Sequence, residues 1–278
     1  MLYQLPAGEF HRAWQLFGGE QHHLAVISAL AGETPAELYV DNPNDPRAGL
    51  LILWNDRLYL AGEPNDATFC DEFATLLRER FTPRAAEGES YDRNIAYMPP
   101  TWEARLPSLF ATITSFRVER ESYCLQVPTT IAIPPLTTGL RLRQVDAALV
   151  ADSALGNHSD LLDEMQSEAP SVAEFLAGRF GCCVQRDAEL VAWCLSEYNH
   201  GNRCELGIAT LPAFQRRGLA TAVALAVIAH AQSQGITIVG WHCWKENLSS
   251  GNLARKLGFS KVEDYPVWHC RFGQLTAT

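Results

Sequence analysis

An α+β fold built on a mixed sheet is predicted by three features of the sequence. Apolar hairpins occur in both halves of the chain, most clearly "GLLILWNDRLYLAG" and "GCCVQRDAELVAWCLSEY". From Arg203 to Trp244 a strand, a long apolar helix and a second strand follow in series, the pattern of a parallel pair joined by a crossover. At 278 residues the chain exceeds one ordinary domain. Two are therefore expected: a smaller, divergent α/β domain over residues 1–127 and a second over residues 128–278.

The elements follow in order. Asn55-Asp56 turns the first hairpin, and "DATFCDEFATLLRERF" is an amphipathic helix with Asp66 placed to cap its start. This half also holds Pro-rich patches such as "YMPPTWEARLP" and no assignable chemistry. The stretch "YCLQVPTTIAIPPLTTGLRL" (123–142) concentrates proline and threonine and reads as a linker or extended crossover, with a boundary near residue 128. Beyond it "GLRLRQV" reads as a strand, "AALVADSAL" and "SVAEFLAGRF" as helices, and the second hairpin turns near Asp187. "RCELGIATL" is then a strand, residues 215–234 a helix, "ITIVGWHCW" a strand, "SSGNLARKL" a short helix and "KVEDYPVWHCRF" the last strand. A hairpin followed by a helix in each half hints at duplication, although no residue-level repeat is visible.

Composition narrows the function classes. A net charge of −10 argues against a nucleic-acid surface, which needs clustered Lys and Arg, and suits a cationic or neutral amine partner better. No apolar run reaches the roughly 20 residues that span a bilayer, and the start lacks a basic region followed by an apolar core, so a cytoplasmic protein without a membrane partner is expected. The eight cysteines form no CxxC pair and read as reduced core residues. His22-His23, His200, His230, His242 and His269 show no HExxH or zinc-type spacing, so no metal is expected. Asn199-His200-Gly201 reads as a hairpin turn; Trp193, Trp241, Trp244 and Trp268 fall on strands as core, with one or two left to line a cleft.

"LPAFQRRGLATAVALAVIAHAQSQG" (211–235) sets two arginines and a glycine at the start of a long helix. The first N–H groups of a helix lack intrahelical partners and, with the helix dipole, form an anion site; Gly218 permits close approach. A solvated surface corner is the plain alternative. The corner has neither GxGxxG nor GxxxxGK[ST].

Gln215-Arg216-Arg217-Gly218-Leu219-Ala220 does match the Q/R-x-x-G-x-G/A signature of the GNAT superfamily of acyl-CoA-dependent N-acyltransferases, and "NLSSGNLARKLGF" (247–259) resembles its next motif. Over about residues 180–268 the chain more closely resembles the bacterial GNAT family that includes zwittermicin A resistance proteins. The resemblance implies a GNAT fold for the second domain, with the first a degenerate GNAT-like half.

It further implies acetyl-CoA as co-substrate. Its diphosphate would lie on the N–H groups of Arg217, Gly218, Leu219 and Ala220 and on the Thr221 hydroxyl, with Gln215 and Arg216 completing the corner. Asn247 would meet the pantetheine arm, with Ser250 nearby; a helix N-cap is the alternative for Asn247, and Asn252 reads as exposed. Main-chain N–H groups around Ile208, Ala209 and Thr210 would polarise the thioester carbonyl, on a strand that bulges and splays from the next.

Amine acylation needs a base, because the acceptor arrives as ammonium. Glu205 stands about where many GNAT enzymes carry a catalytic glutamate, and its neighbours Cys204 and Leu206 are apolar; the alternative is a strand glutamate facing solvent or bonded to Arg203. Where many members carry a tyrosine acid this chain has Ala254, leaving Tyr265, Cys243 and His242 as substitutes, each with a plain packing role as alternative. A thiol with a pKa near 8.5 also leaves without an acid.

The reading is thus acetyl transfer to a primary amine of a small molecule, with monomer and homodimer both open. A protein or peptide acceptor and a non-catalytic acyl-CoA sensor are the competing readings.

Overall fold

The computed structural model describes residues 1–18, 23–85, 91–97 and 99–273, so His22 lies outside the described residues. The chain divides into two compact units, Met1–Arg120 with Tyr265–Thr278, and Glu121–Asp264.

In the first unit, β1 (Tyr3–Leu5), α1 (Leu24–Leu30), β2 (Ala36–Val40), β3 (Ala48–Leu53), β4 (Leu58–Gly62), α2 (Ala67–Ala85), β5 (Tyr91–Tyr97) and α3 (Leu106–Leu109) follow in order. Neighbouring strands run β1-β2-β3-β4-β5 and then the C-terminal part of β12 (Ser260–Phe272). Within this set β4 and β5 are parallel, joined by α2, and Val267–Phe272 of β12 pairs antiparallel with β5. The α2 helix forms because Phe69, Phe73, Leu77, Phe81 and Ala85 recur every fourth residue and bury one stripe. Asp66 caps it, accepting the Phe69 N–H at 3.1 Å and pairing with the Met1 ammonium at 3.2 Å. The hairpin turn at Asp56 adopts φ 58°, and its buried carboxylate is held by Arg80, Arg84 and the Tyr91 hydroxyl.

The second unit begins in β6 (Thr114–Gln126) and continues through β7 (Leu140–Gln144), α4 (Ala147–Val150), α5 (His158–Glu168), α6 (Val172–Gly178), β8 (Gly181–Arg186), β9 (Glu189–His200), β10 (Arg203–Thr210), α7 (Leu219–Ser233), β11 (Ile238–Trp244) and α8 (Leu248–Lys256). Its strand order is β6-β11-β10-β9-β8-β7, antiparallel from β7 to β10 and parallel between β10 and β11. One face carries Cys204, Leu206, Val239 and Trp241 against Val223, Val227 and Ile228 of α7. The other carries Leu190, Trp193 and Leu195 against Leu161 and Met165 of α5 and Phe175 of α6. Each such Leu, Ile or Val contributes about 1.5–3 kcal/mol on burial.

Both units thus contain a hairpin leading to a strand, a helix and a parallel strand. Each also takes its sixth strand from the other half of the sequence: β12 for the first, β6 for the second.

Four expectations change. The stretch 123–142 is strand through Gln126, because its prolines begin only at Pro128. The last strand, placed by sequence with 128–278, gives its residues from Tyr265 onward to the first unit. The helix expected from residue 215 starts at Leu219, since Arg216 and Gly218 take left-handed conformations. Helix α5, absent from the sequence reading, fills the gap between α4 and α6. Among the described residues no helix is long and apolar enough to cross a membrane, no group of three or more His, Cys, Asp and Glu is placed to hold a metal, and all eight cysteines are free thiols.

Candidate active site

The residues singled out at the helix corner and on the strand before it come together in the second unit. Strand β10 pairs with β11 only over Arg203–Glu205, and its ladder with β9 shifts register between Glu205 and Leu206, where Glu197 is the extra residue. Past Glu205 the β11 side of the strand has no ladder partner. Leu211 donates its N–H to Val191 O at 3.0 Å, which makes Leu211–Val191 a hydrogen-bonded pair. Such pairs alternate, so Ala209–Trp193 is the next, while Thr210–Ala192 and Ile208–Cys194 turn their amides away from β9. Ile208 and Thr210 therefore present N–H groups to the open side; Ala209, grouped with them by sequence, has its amide in the β9 ladder. Gln215 Nε2 donates to Thr210 O at 3.2 Å, tying the corner to the strand. Thr210 Oγ1 is buried without a partner.

At the corner Gly218 has φ 78°, a conformation that costs a residue with a Cβ about 1–2 kcal/mol, and the space where a Cβ would stand is open. No side chain caps α7. Its first intrahelical bond runs from the Ala222 N–H to Gly218 O at 3.0 Å, which leaves the amides of Leu219, Ala220 and Thr221 without intrahelical acceptors. Arg216 and Arg217 are exposed, with the Arg217 guanidinium 5.3 Å from the Phe214 ring centroid. Lys256 of α8, not anticipated from sequence, brings its Nζ 3.4 Å from Thr221 Oγ1 and adds a third cation. The helix start of α2 in the first unit differs, because Asp66 already caps it and sets a carboxylate where an anion would have to lie.

Glu205, Gly207 and Ala209 point to the α5 face of the sheet, since Cys204, Leu206 and Ile208 alternate to the α7 face. Glu205 is 7% exposed. His242 Nε2 lies 3.4 Å from Glu205 Oε1, on the same face. Gly240 makes room for this carboxylate, because a Cβ there would stand 2.8 Å from Glu205 Cγ. Gly207 likewise makes room for the carboxylate of Glu197. The Cys204 thiol is pushed up to about 12, by burial first and then by the Glu205 charge.

Asn247 caps α8: its Oδ1 accepts the Ser250 N–H at 3.1 Å and the Ser249 hydroxyl at 2.7 Å. Ser250 Oγ accepts the Trp241 indole N–H at 2.9 Å. Asn252 is exposed and bonded to Arg255. Ala254 is fully buried in the core, as is Cys243 nearly so. A tyrosine hydroxyl does stand against α8, but it comes from β6: Tyr123 Oη receives Arg255 Nη1 at 2.6 Å and donates to Glu121 at 2.5 Å. A Cβ at Gly251 would come within 2.9 Å of it. Tyr265 belongs to the first unit, buried with its ring edge-on to His23 at 4.8 Å. Trp241, Trp193 and Trp268 are buried, whereas Trp244 is 38% exposed.

The arrangement offers an anion-binding helix start, a strand with outward amides, and a buried carboxylate beside an imidazole. The chain is 26% identical over 271 residues to the uncharacterized N-acetyltransferase YdfB of Bacillus subtilis, covering 97% of this chain and 98% of that one. A GCN5-related N-acetyltransferase-like protein from Streptococcus suis superposes with a TM-score of 0.70 at 20% identity, over 95% of this chain and 99% of that one. A tandem GNAT protein from the clavulanic acid biosynthesis pathway superposes with a TM-score of 0.63 at 12% identity, over 99% of each, and shares the two-half fold. The GNAT acetyltransferase family model matches residues 15–268, and the chain belongs to that family.

Proposed function

We propose that this acetyltransferase moves an acetyl group from acetyl-CoA to a primary amine of a small molecule by direct attack in a ternary complex. The observation that carries the reading is the unpartnered side of β10: the Ile208 and Thr210 amides face the opening beyond Glu205, between a helix start suited to a diphosphate and a carboxylate suited to an amine. Arg217, Gly218, Leu219 and Ala220 hold the diphosphate through their N–H groups, with the Thr221 hydroxyl, Arg216 and Lys256 beside them. Gln215 braces the corner. Asn247 Nδ2 is offered to the pantetheine arm, since its Oδ1 is committed to the cap; Ser250 supports it through Trp241.

Acetyl-CoA, when bound, supplies the activated thioester carbonyl. Glu205 takes the proton from the acceptor ammonium, with His242 next in line at 3.4 Å. The C–N bond forms and the C–S bond breaks, the second proton of the attacking nitrogen passing to the departing thiolate, while the Ile208 and Thr210 N–H groups meet the charge that develops on the carbonyl oxygen. The thiolate leaves without a tyrosine acid, consistent with Ala254.

The sequence resemblance of about residues 180–268 to the family that includes zwittermicin A resistance proteins, together with the net charge of −10, favours a cationic metabolite or antibiotic as acceptor over a protein N-terminus or lysine. Ala254 motivates the sensor alternative, and the Glu205–His242 pair opposes it. Coenzyme A thiol release from acetyl-CoA, measured with small amines, aminoglycosides and short peptides, tests the reading. Release dependent on one class of small amine supports it; release with peptides alone, or saturable acetyl-CoA binding without release, contradicts it.

A further inference from the structure

In the first unit, β4 pairs with β5 over Leu58–Leu60; beyond the Leu60–Tyr97 rung, among the described residues, Ala61 and Gly62 keep only β3 as a ladder partner. At this gap, on the sheet face turned away from the crossover helix α2, a cavity of about 270 Å³ opens against α1. The first unit thus repeats, within its own sheet, the parting of β10 and β11 on the face that carries Glu205 in the second. We propose that this cavity is a second small-molecule site, for a neutral aromatic ligand of up to two fused rings, and that coenzyme A does not enter it.

Small side chains and two glycines hold the cavity open. Its floor is Tyr59, Ala61 and Ala96, which alternate away from Leu58, Leu60 and Ile95 in the core beneath α2. Two of these three carry only a methyl, while Val26 and Ile27 of α1 form the opposite wall. Leu16 and Phe17 line the cavity without filling it, because they are drawn down onto β3 and β4. Gly49 permits this: a Cβ there would stand 2.9 Å from Leu16 Cδ2 and 3.1 Å from Phe17 Cε2. A Cβ at Gly62 would stand 2.5 Å from Leu16 Cδ1. Protein interiors leave few voids larger than a water molecule, and an apolar cavity of about 150 Å³ takes up benzene. A cavity of about 270 Å³ has room for two fused rings.

The lining sets the chemistry of the ligand. Phe17, His23, Tyr59 and Tyr97 present four rings, those of His23 and Tyr59 with centroids 5.5 Å apart. Among the described residues the wall carries no Asp, Glu, Lys or Arg. Ring edges and faces favour a flat aromatic partner, and a charged group would give up its hydration there at a high cost. On this face the last rung of the parallel pair is Tyr59–Ala96, whereas in the second unit it is Glu205–Gly240. A phenol replaces the carboxylate suited to an amine. The diphosphate position is closed as well, since the Asp66 carboxylate caps α2 and would repel an anion at that helix start.

Calorimetry on the full chain with 2-naphthol, a neutral two-ring probe, and with 2-naphthoate, its charged counterpart, tests the site without requiring turnover, so failure of the acetyl-transfer reading leaves the result interpretable. 2-Naphthol is expected to bind saturably at one site per chain, at least tenfold more tightly than 2-naphthoate, with an affinity that saturating acetyl-CoA does not change. Ala96→Leu, whose larger side chain enters the cavity, is expected to weaken 2-naphthol at least tenfold and to leave acetyl-CoA affinity as in the wild type. Ala61→Leu takes its place if urea unfolding shows the first variant to be unfolded. Displacement of 2-naphthol by acetyl-CoA would make the gap a second cofactor site and overturn the proposal. Absence of saturable 2-naphthol binding, equal affinity for 2-naphthoate, or binding unaltered in the folded variant would also overturn it.

Discussion

His242 Nε2 stands 3.4 Å from Glu205 Oε1, across the last rung of the parallel pair β10–β11. Glu205 is directly opposite Gly240 on that rung, and the missing side chain there is what lets the carboxylate lie against the sheet. A Cβ at residue 240 would come 2.8 Å from Glu205 Cγ, closer than carbon atoms tolerate. Gly240→Ala must therefore displace the carboxylate. A shift of about 1 Å at a reacting group costs on the order of 100-fold in rate. Steady-state kinetics of the variant are predicted to show a kcat loss of that order with acetyl-CoA affinity retained; an unchanged kcat would remove Glu205 from the reacting centre.

Gly218 separates two effects. Gly218→Ala meets open space but keeps a φ of 78°, so it is predicted to cost about 1–2 kcal/mol of stability and to weaken acetyl-CoA modestly. Gly218→Asp adds a carboxylate to the helix start and is predicted to weaken acetyl-CoA at least tenfold beyond the alanine variant. Equal affinities for the two variants would place the diphosphate elsewhere.

Two buried tyrosines, Tyr97 and Tyr123, and the half-buried Tyr39 predict an alkaline limit. Tyr39, Tyr97 and Tyr123 are each pushed up to about 12, first by burial and then by a carboxylate, Glu37, Glu103 and Glu121 respectively. An unfolded tyrosine titrates near 10. Below pH 10 the phenols are protonated in both states and add no pH dependence. Between about pH 10 and 12 the unfolded chain releases protons that the folded one keeps, so stability falls as pH rises. Urea midpoints at pH 9 and pH 11 check this, with the triple Tyr→Phe variant expected to lose part of the difference.

The sequence made the second unit more legible than the first, and local features more legible than tertiary ones. Gln215–Ala220 announced the helix corner proposed to hold the cofactor, because its residues lie within six consecutive positions. The turn at Asp187 and the cap at Asp66 were readable for the same reason. Helix α5 escaped because it buries little beyond Leu161, Met165 and Glu168, too narrow a stripe to stand out from a polar segment. Strand β6 was hidden by the Pro-rich stretch that follows it. Lys256 reaches Thr221 across 35 residues and Tyr123 reaches Arg255 across 132, so neither contact leaves a local signature. Ala209 was grouped with Ile208 and Thr210 because only the β9 register tells which amides face outward.

Whether Glu205 takes the acceptor's proton is decided by Glu205→Gln, because the amide keeps the shape of the side chain and removes the base. Thiol release by this variant and its acetyl-CoA affinity should be measured side by side with the wild type. If Glu205 is the base, kcat/KM falls by about 10²–10⁴-fold with acetyl-CoA affinity within twofold of wild type. Turnover within threefold of wild type would contradict it.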